Sequence, residues 1–386
     1  MDFRLSEDQL ALQETARKFA QSELPALAET IESTSSPVPH DWLKRYAEMG
    51  FLGVNTPEAL GGLGLTLLDA LIVMEEFAKI SVGVAFPVFE CCTGPVRIVE
   101  RLGSPELRER IVPRAAGGEM LVAVSMSEPD AGTALTDLRT RASIDGDEIV
   151  LDGTKRWCSG AGHSGGYVVF CRFDGIESAK GIGAVFVDMG TPGLSFGDQE
   201  RMMGFRGVPS ADIFLDGVRV PKENLLAGPG DFARLMQLFN IERLGNATMA
   251  LGVAAGALER VTAYVQERRQ FGKPLVDFQA VQLRVGDMAC KVEAARLLIH
   301  RAAANAGHDL PDPQEAAIAK CFANEITRAV TADAMQLMGG YGYAREYGME
   351  QKLRDSYGWG IAGGAIDIQK VNIAGGLVGR RFSQRG

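Results

Sequence analysis

The chain has 386 residues, of which 46% are hydrophobic and 23% are charged, a balance typical of a globular protein with two or three domains. Its formal net charge of -9 comes without a long basic run, which argues against nucleic acid or an anionic membrane as the main partner. We see no secretory signal and no run that approaches the roughly 18 apolar residues needed to cross a bilayer, so we expect a cytoplasmic chain without membrane insertion.

Cysteines and histidines are scattered along the chain. The six cysteines contain no metal-type CxxC pair, and the four histidines have no spacing typical of metal ligands. We therefore expect reduced thiols and no metal centre.

Helical patterns fill the chain from residue 1 to about residue 120. Ser6 followed by Gln9 forms a capping-box pattern at the start of a first helix. Helical periodicity returns over 41–49 and 68–80, on either side of a glycine-rich loop. These patterns predict an N-terminal helical domain over residues 1–120.

Between residues 121 and 230 the helical pattern gives way to short apolar runs bounded by Gly, Pro or Asp. Asp145-Gly146 is a predicted turn between two of these runs. Several strands spaced this closely predict a small β-barrel or sandwich domain over 121–230.

From residue 231 to residue 386 the pattern is helical again. Apolar residues at alternating steps of three and four predict one long helix over 239–279, followed by helices over 279–304 and 313–338. The long helix would place Glu242 and Arg243 in its first turn and Arg268 in its last, roughly 38 Å away at 1.5 Å per residue. The two ends therefore cannot serve the same reacting atom.

Five segments, in this order and spacing, carry a resemblance to a known family. They are SEPDAG (127–132), GTKRWCSGAG (153–162), VPKENLL (220–226), ERRQFGKPLVDFQ (267–279) and MQLMGGYGY (335–343). Together they resemble the acyl-CoA dehydrogenase family over nearly the whole chain. The resemblance implies an α+β multidomain fold with an N-terminal helical domain, a central β-barrel and a C-terminal four-helix bundle. It also implies FAD as cofactor, an acyl-CoA substrate, an electron-transfer flavoprotein as partner and a homotetramer.

The resemblance also assigns FAD contacts to two parts of the chain. In the β-domain they are Met126, Ser127, Gly132, Thr133, Trp157 and Ser159. In the helical domain they are Arg268, Phe271, Gln279, Gln336 and Gly340, and there the resemblance implies contact with the flavin of a neighbouring subunit. A guanidinium suits the cofactor pyrophosphate because its rigid fork binds two oxygens. The alternative is that Arg268 merely ends a helix favourably.

The family's chemistry needs a base that removes a proton from the α-carbon of an acyl thioester while the β-carbon passes a hydride to flavin N5. In many members that base is a glutamate in the late glycine-rich segment, where this chain has Gly363. In the isovaleryl-CoA and long-chain enzymes it precedes an arginine on the long helix, which matches Glu242 and Arg243. The resemblance thus implies Glu242 as the base, with the Gly363 N–H left to bind the thioester carbonyl. The alternative is a structural glutamate paired with the helix dipole.

Four side chains are candidate substrate contacts: Phe239, Asn240, Arg243 and Glu90. Arg243 supports the site or forms a buried ion pair. Glu90 matches the floor of the acyl pocket, where it would bind a polar tail, act as an unusual base or serve as a structural carboxylate. The pair Gly363-Gly364 predicts space beside the α-carbon, and hence a branched or cyclic acyl group.

Three functions remain open. The leading prediction is an acyl-CoA dehydrogenase that passes electrons to an electron-transfer flavoprotein. The second is a related flavoprotein that does not dehydrogenate, since a crotonobetainyl-CoA reductase and a sulfinoacyl-CoA desulfinase share the glycine at 363. The desulfinase lacks the helix glutamate and carries an arginine where this chain has Phe86, so Glu242 favours redox chemistry. The third is a catalytically inactive assembly subunit.

Overall fold

The computed structural model describes residues 4–173 and 175–382; the outer ends of the predicted first and third domains, 1–3 and 383–386, lie outside the described residues. The first part of the chain is helical, as expected. Its helices are α1 (Glu7–Thr34), α2 (His40–Glu48), α3 (Leu67–Ile80), α4 (Val82–Cys92), α5 (Pro95–Leu102) and α6 (Pro105–Ala116). The predicted capping box is present, since Ser6 Oγ accepts from Gln9 N–H and the Gln9 side chain accepts from Ser6 N–H.

The apolar stretch Val82–Leu102, which covers α4 and α5, corrects one expectation. Its 21 residues are long and apolar enough to match a membrane-spanning helix, whereas no such run was expected. All of its most apolar window is buried inside the protein, and the helix is interrupted between Cys92 and Pro95. The stretch is therefore part of the protein core.

The middle of the chain forms one eight-stranded sheet. Its strands are β1 (Val122–Ser125), β2 (Arg141–Asp145), β3 (Glu148–Ser159), β4 (Gly166–Phe173), β5 (Ile182–Asp188), β6 (Leu194–Phe196), β7 (Ser210–Pro221) and β8 (Leu225–Ala227). The order is β6-β7-β3-β2-β4-β5-β8, with β1 pairing parallel to β4. The predicted turn joins β2 to β3, where Gly146 adopts φ 63°. The short β8 and the second half of β3, residues 154–159, lie outside the predicted runs.

Helices return after the sheet. They are α7 (Phe232–Glu267), α8 (Gln279–Ala306), α9 (Pro313–Met338), α10 (Gly340–Tyr343), α11 (Met349–Asp355) and α12 (Ile366–Leu377). The helical, sheet, helical order confirms the predicted fold class. Helices α8 and α9 lie where the periodicity placed them, and both pack against α7.

Helix α7 differs from its prediction at both ends. It begins at Phe232 and ends at Glu267, so Glu242 lies well past the first turn and Gln279 opens the next helix. After Glu267 the chain reverses in a short hairpin, β9 (Arg269–Gln270) paired with β10 (Lys273–Pro274). The helix ends because Arg268 adopts an extended backbone with φ -68° and ψ 126°. Phe271 and Gly272, with φ of 52° and 82°, then form the turn of the hairpin. The helix-dipole explanation of Glu242 loses its support, since that effect fades beyond the first turn.

Candidate active site

Glu242 lies beside the loop that carries Gly363, so the two alternative base positions of the sequence analysis meet in space. A Cβ added to Gly363 would lie 3.0 Å from Oε1 of Glu242. Gly363 itself has φ 59°, a backbone conformation that favours glycine. The Glu242 carboxyl therefore occupies the place toward which a side chain at position 363 would point.

This arrangement corrects the expectation of open space beside the α-carbon. The space that the missing side chain would leave is filled by the Glu242 carboxyl. At Gly364, a Cβ would meet Nε2 of Gln369 at 2.9 Å. The two glycines therefore give no structural support to a branched or cyclic acyl group.

Three polar side chains that the sequence analysis missed surround the same loop. Lys320 of α9 is fully buried and donates to the carbonyls of Ala362 and Gly363, both at 2.7 Å. Asn246 of α7 donates to Ala362 O at 3.3 Å and accepts from Asn324 at 3.1 Å. The signal that could have found them is a polar residue on the buried face of a predicted helix, because such a group needs a partner.

Burial perturbs both charged groups at this position. It raises the pKa of Glu242 to about 7, although the positive charges of Lys320 and Arg243 lower it. Burial likewise lowers the pKa of Lys320, although the charge of Glu242 raises it, so each of the two groups favours the charged form of the other. A carboxyl with a pKa near neutrality is well matched to taking up or giving a proton at physiological pH.

Glu90 of α4 belongs to the same group of side chains. Helices α4 and α7 approach closely at Gly245, where a Cβ would lie 2.1 Å from Thr93 Oγ1, and one turn earlier on each helix are Glu90 and Glu242. Burial, and then the charge of Glu242, raise the pKa of Glu90 well above its ordinary value. Its Oε2 is buried without a hydrogen-bond partner among the described residues. Burial and the charge of Glu242 therefore favour the neutral form of Glu90, which has one carboxyl oxygen without a partner among the described residues.

The other candidate substrate contacts connect α7 to its surroundings. Arg243 donates to Oδ1 of Asn240, and its buried Nε has no partner within the described part of the chain. Phe239 is buried and packs edge-on against Phe170 of β4, with ring centroids 5.7 Å apart. Phe239 thus lies in the core between α7 and the sheet, and substrate contact by these residues stays a prediction.

The sheet side carries Trp157 at an irregular point of β3. The indole is 51% exposed and its residue has φ 62°, between positions where the pairing of β3 with β7 shifts register. Arg156 stacks on its face at 4.2 Å, and Arg156 N–H donates to Ser127 O at 2.9 Å. Trp157 is thus flanked by Ser127 and by the neighbouring Met126 and Ser159, which are partly buried. An exposed indole beside hydroxyl groups suits a flat ligand with a polar edge.

A buried ion pair supports this surface from below. Lys155 donates to Glu128 at 2.8 Å and to Met126 O at 3.1 Å. Glu128 also accepts from the N–H groups of Arg139 at 2.6 Å and Thr140 at 2.9 Å. Two of the five segments of the sequence analysis are joined through this pair, which fixes Met126 in place.

Gly132 and Thr133, the remaining predicted cofactor contacts of the β-domain, lie in the exposed loop between β1 and β2. A Cβ on Gly132 would meet no atom within 4 Å. This loop is open to a ligand or to a second chain.

The predicted cofactor contacts of the helical domain all lie on the surface far from Glu242. Arg268, Phe271, Gln279, Gln336 and Gly340 are exposed, and the Phe271 ring is 94% exposed. Arg268 and Gly340 line a cleft of about 680 Å³. Arg268 is about 39 Å along the chain direction of α7 from Glu242. Within one chain the structure does not bring these residues to the site of Glu242.

The described residues contain no cluster of three or more side chains that could hold a metal ion. All six cysteines are unpaired, and Cys290 alone among them is exposed.

Fold and site together define a class of enzyme. The chain has three parts, with a buried carboxyl whose pKa is about 7 on a helix and an exposed indole on the adjoining sheet. Family models cover nearly all of it. The acyl-CoA dehydrogenase N-terminal domain matches residues 6–119, the middle domain 123–218 and the C-terminal domain 232–378. The chain belongs to the acyl-CoA dehydrogenase family, which confirms the predicted family and the predicted FAD cofactor of this oxidoreductase class.

Individual relatives differ in their reactions. The chain is 38% identical to a 3-sulfinopropanoyl-CoA desulfinase of Variovorax paradoxus, over 99% of this chain and 97% of the relative. It is 37% identical to an acryloyl-CoA reductase (NADH) of Anaerotignum propionicum, over 97% of this chain and 95% of that one. A solved glutaryl-coenzyme A dehydrogenase in complex with glutaryl-CoA superimposes with a TM-score of 0.95 at 33% identity, over 100% of this chain and 98% of the other. The family is therefore shown, and the particular reaction is a matter for proposal.

Proposed function

We propose that this chain is an FAD-dependent acyl-CoA dehydrogenase with Glu242 as its base. The observation that carries the proposal is the meeting of Glu242 with Gly363, where a carboxyl of pKa about 7 lies 3.0 Å from the Cβ position of a glycine that carries no side chain. The family's reaction needs one base, which is placed either on the late loop or on the long helix. In this chain the carboxyl of Glu242 on the helix lies next to the loop position.

The protein's own groups divide the work at the thioester. Glu242, in its charged form, takes the proton from the α-carbon. The N–H of Gly363 makes no backbone hydrogen bond in the described part of the chain, so it is free to donate to the thioester carbonyl. Such a donor stabilises the negative charge that develops on that oxygen as the proton leaves. Bound FAD supplies the acceptor for the hydride of the β-carbon.

The remaining predicted contacts complete the proposed site. Glu90 Oε2 and Arg243 Nε are buried polar atoms that have no partner among the described residues, which supports a ligand that completes the site. Asn240 holds Arg243, and Phe239 anchors this part of α7 to the sheet.

The proposal assigns the cofactor to two chains. Met126, Ser127, Gly132, Thr133, Trp157 and Ser159 would hold the FAD of their own chain. Arg268, Phe271, Gln279, Gln336 and Gly340 would hold that of a neighbour. Their exposure and their distance from Glu242 support this division. A homotetramer, an electron-transfer flavoprotein as partner and a cytoplasmic location belong to the same proposal.

We also propose domain limits of 1–120, 121–230 and 231–386. The family models, which match 6–119, 123–218 and 232–378, support these limits.

Enoyl-CoA reduction is the second candidate, favoured by the 37% identity to the acryloyl-CoA reductase. The same residues would then act in reverse, with protonated Glu242 giving its proton to the α-carbon. Desulfination is less well supported despite the 38% identity to the desulfinase. An anionic acyl tail needs a cation, whereas position 86 on α4 carries a buried phenyl ring and position 90 a carboxyl.

An anaerobic experiment separates these candidates. The purified FAD-loaded protein is mixed with straight, branched and cyclic acyl-CoAs, and its flavin absorbance is followed. A dehydrogenase is bleached by at least one of them. A reductase runs the same half-reaction in reverse and is recognised by steady-state turnover, in which it oxidises a reduced electron donor when an enoyl-CoA is supplied and turns over an acyl-CoA with an artificial acceptor more slowly. A desulfinase releases sulfite from a sulfinoacyl-CoA. No response in any arm would leave the inactive assembly subunit and overturn the proposal.

A further inference from the structure

Lys320 is a buried amino group that the proposed chemistry does not use. It comes from the middle of α9 and has no exposed surface. An ammonium carries three N–H donors, and two of them bind the carbonyls of Ala362 and Gly363 at 2.7 Å. Lys320 therefore connects α9 to Ala362 and Gly363, and the N–H of Gly363 is the proposed donor to the thioester carbonyl.

The same amino group faces Glu242. The Cβ position of Gly363 lies 3.0 Å from Glu242 Oε1 and 3.4 Å from Lys320 Nζ, so both groups are close to one point. Asn246 Nδ2 lies 3.5 Å from that point as well. Because Gly363 has no side chain, no atom occupies the point that lies close to both the carboxyl and the ammonium.

We propose that Lys320 is a positioning residue for the reaction: it fixes the loop so that the Gly363 N–H faces the thioester, and its ammonium holds the Glu242 carboxyl in the charged form that accepts a proton. This inference rests on the proposed role of Glu242 and extends it to a group on another helix. Lys320 touches neither reacting carbon in this account.

Other charged groups also act on Glu242. Arg243 on its own helix lowers the pKa of Glu242, as Lys320 does, whereas burial raises it. Glu90 on α4 is pushed toward its neutral form by burial and by Glu242. Cys321, next to Lys320 on α9, is an ordinary buried thiol whose pKa burial raises to about 11. If the ammonium of Lys320 were removed, Arg243 would be the cation left to lower the pKa of Glu242 against the effect of burial.

The test separates charge from donor capacity. Lys320→Met removes both, Lys320→Gln keeps amide donors but removes the charge, and Lys320→Arg keeps both. Lys352→Met is the matched control, because Lys352 is also buried and donates to two carbonyls, Lys79 O at 2.7 Å and Ile80 O at 3.4 Å. It lies on α11, and its charge is not among those that act on Glu242.

The readout is proton removal without oxidation. A 3-thiaacyl-CoA has sulfur in the β-position and no hydride to give there, so deuterium uptake at its α-carbon in heavy water reports the base alone. In the FAD-loaded wild type, we expect uptake to rise with pH through a midpoint near 7. In Lys320→Met and Lys320→Gln the midpoint should move upward by about one pH unit. Lys320→Arg, which keeps a cation, and Lys352→Met should show no upward shift of the midpoint.

A midpoint in folded Lys320→Gln that stays at the wild-type pH or falls would overturn the inference. Lys320→Gln carries the test if Lys320→Met does not fold. If the wild type takes up no deuterium, the proposed base is wrong. The influence of Lys320 is then read from an infrared titration of the Glu242 carboxyl, with the band identified by its loss in Glu242→Gln. There too, the absence of an upward shift in Lys320→Gln contradicts the inference.

Discussion

Two regions of α7 differ in how much of a site they form within one chain: the region of Glu242, in the first third of the helix, and the region of Arg268, just past its last residue. In the first region Glu242 is enclosed by Lys320, Glu90 and the loop of Gly363, and burial brings its pKa to about 7. In the second region Arg268 is exposed, with Tyr341 under its guanidinium at 5.3 Å. The region of Glu242 has its acid and its neighbouring cation within one chain. The region of Arg268 offers a cation that can bind an anion, but its guanidinium is exposed to solvent. In the proposed function, α7 would serve one site directly and another through a neighbouring chain.

The middle of α7 keeps these two regions apart. Gly252 and Gly256 pack against α3 so closely that a Cβ would lie 2.4 Å from Ala78 Cβ and 2.3 Å from Lys79 O. Side chains larger than hydrogen would push the helices apart at these points. The small residues of α7 therefore hold a rigid spacing between the proposed base and the proposed cofactor contact.

The largest expected effect is in the buried region of Glu242. Glu242→Gln should slow flavin reduction by acyl-CoA by about 10²- to 10⁴-fold, because an amide cannot take the α-proton. FAD content, measured by absorbance, should be unchanged. Glu267→Gln, at the exposed end of the same helix, is the control and should react like the wild type. Equal reduction rates in Glu242→Gln and the wild type would remove Glu242 from the proposed mechanism.

At the exposed end, Arg268→Ala should weaken FAD binding by roughly 10- to 100-fold, the loss expected for hydrogen bonds to a charged group. Equilibrium dialysis of FAD measures it. Arg269→Ala is the control, since Arg269 is also exposed but bonds within its own hairpin, to Gly272 O at 3.1 Å. Arg268 has no cofactor role if both variants retain FAD equally.

The pH dependence sharpens the assignment of the base. Because burial raises the pKa of Glu242 to about 7, the charged form is lost as pH falls through that value. The rate of flavin reduction by acyl-CoA should then fall about tenfold per pH unit below the midpoint. In the direction of enoyl reduction the protonated form acts, so that rate should fall as pH rises. A flat profile in both directions, measured by stopped flow, would argue against a titrating Glu242.

The smallest expected effect concerns Gly363, where backbone strain and contact with Glu242 can be measured separately. Gly363→Ala should destabilise the protein by about 1–3 kcal/mol through its positive φ, and should also slow turnover because the added methyl meets Glu242. Gly146→Ala is matched, with φ 63° and nothing within 4 Å of the added methyl. It should lose stability alone in thermal unfolding. Turnover losses of the same size in both variants would show that contact with Glu242 is unimportant.

Much of this arrangement could be predicted from the sequence, because local patterns carry it. Periodicity placed α8 and α9, and turn residues placed the strands. The hairpin after Glu267 was missed because Phe271 adopts a positive φ that its residue type does not suggest.

Long-range contacts were the part that local patterns could not supply. Lys320 lies near Glu242 because α7 and α9 pack together, and the separation of the two residues along the chain hides that proximity. For the same reason, the space beside Gly363 was expected to be open, whereas a residue from another helix fills it.

The most direct test of the central claim combines a variant that lacks Glu242 with a variant that lacks Arg268. Glu242→Gln chains and Arg268→Ala chains are unfolded together and refolded with FAD. Activity is then measured at an FAD concentration that saturates the wild type but not Arg268→Ala, so that each variant alone is poorly active. If Glu242 acts in its own chain and Arg268 in its neighbour's, half of randomly formed pairs contain one intact site, and about a quarter of wild-type activity should return. If both residues serve their own chain, every site keeps one defect and no activity returns. That second result would contradict the account of α7 as a link between two active sites.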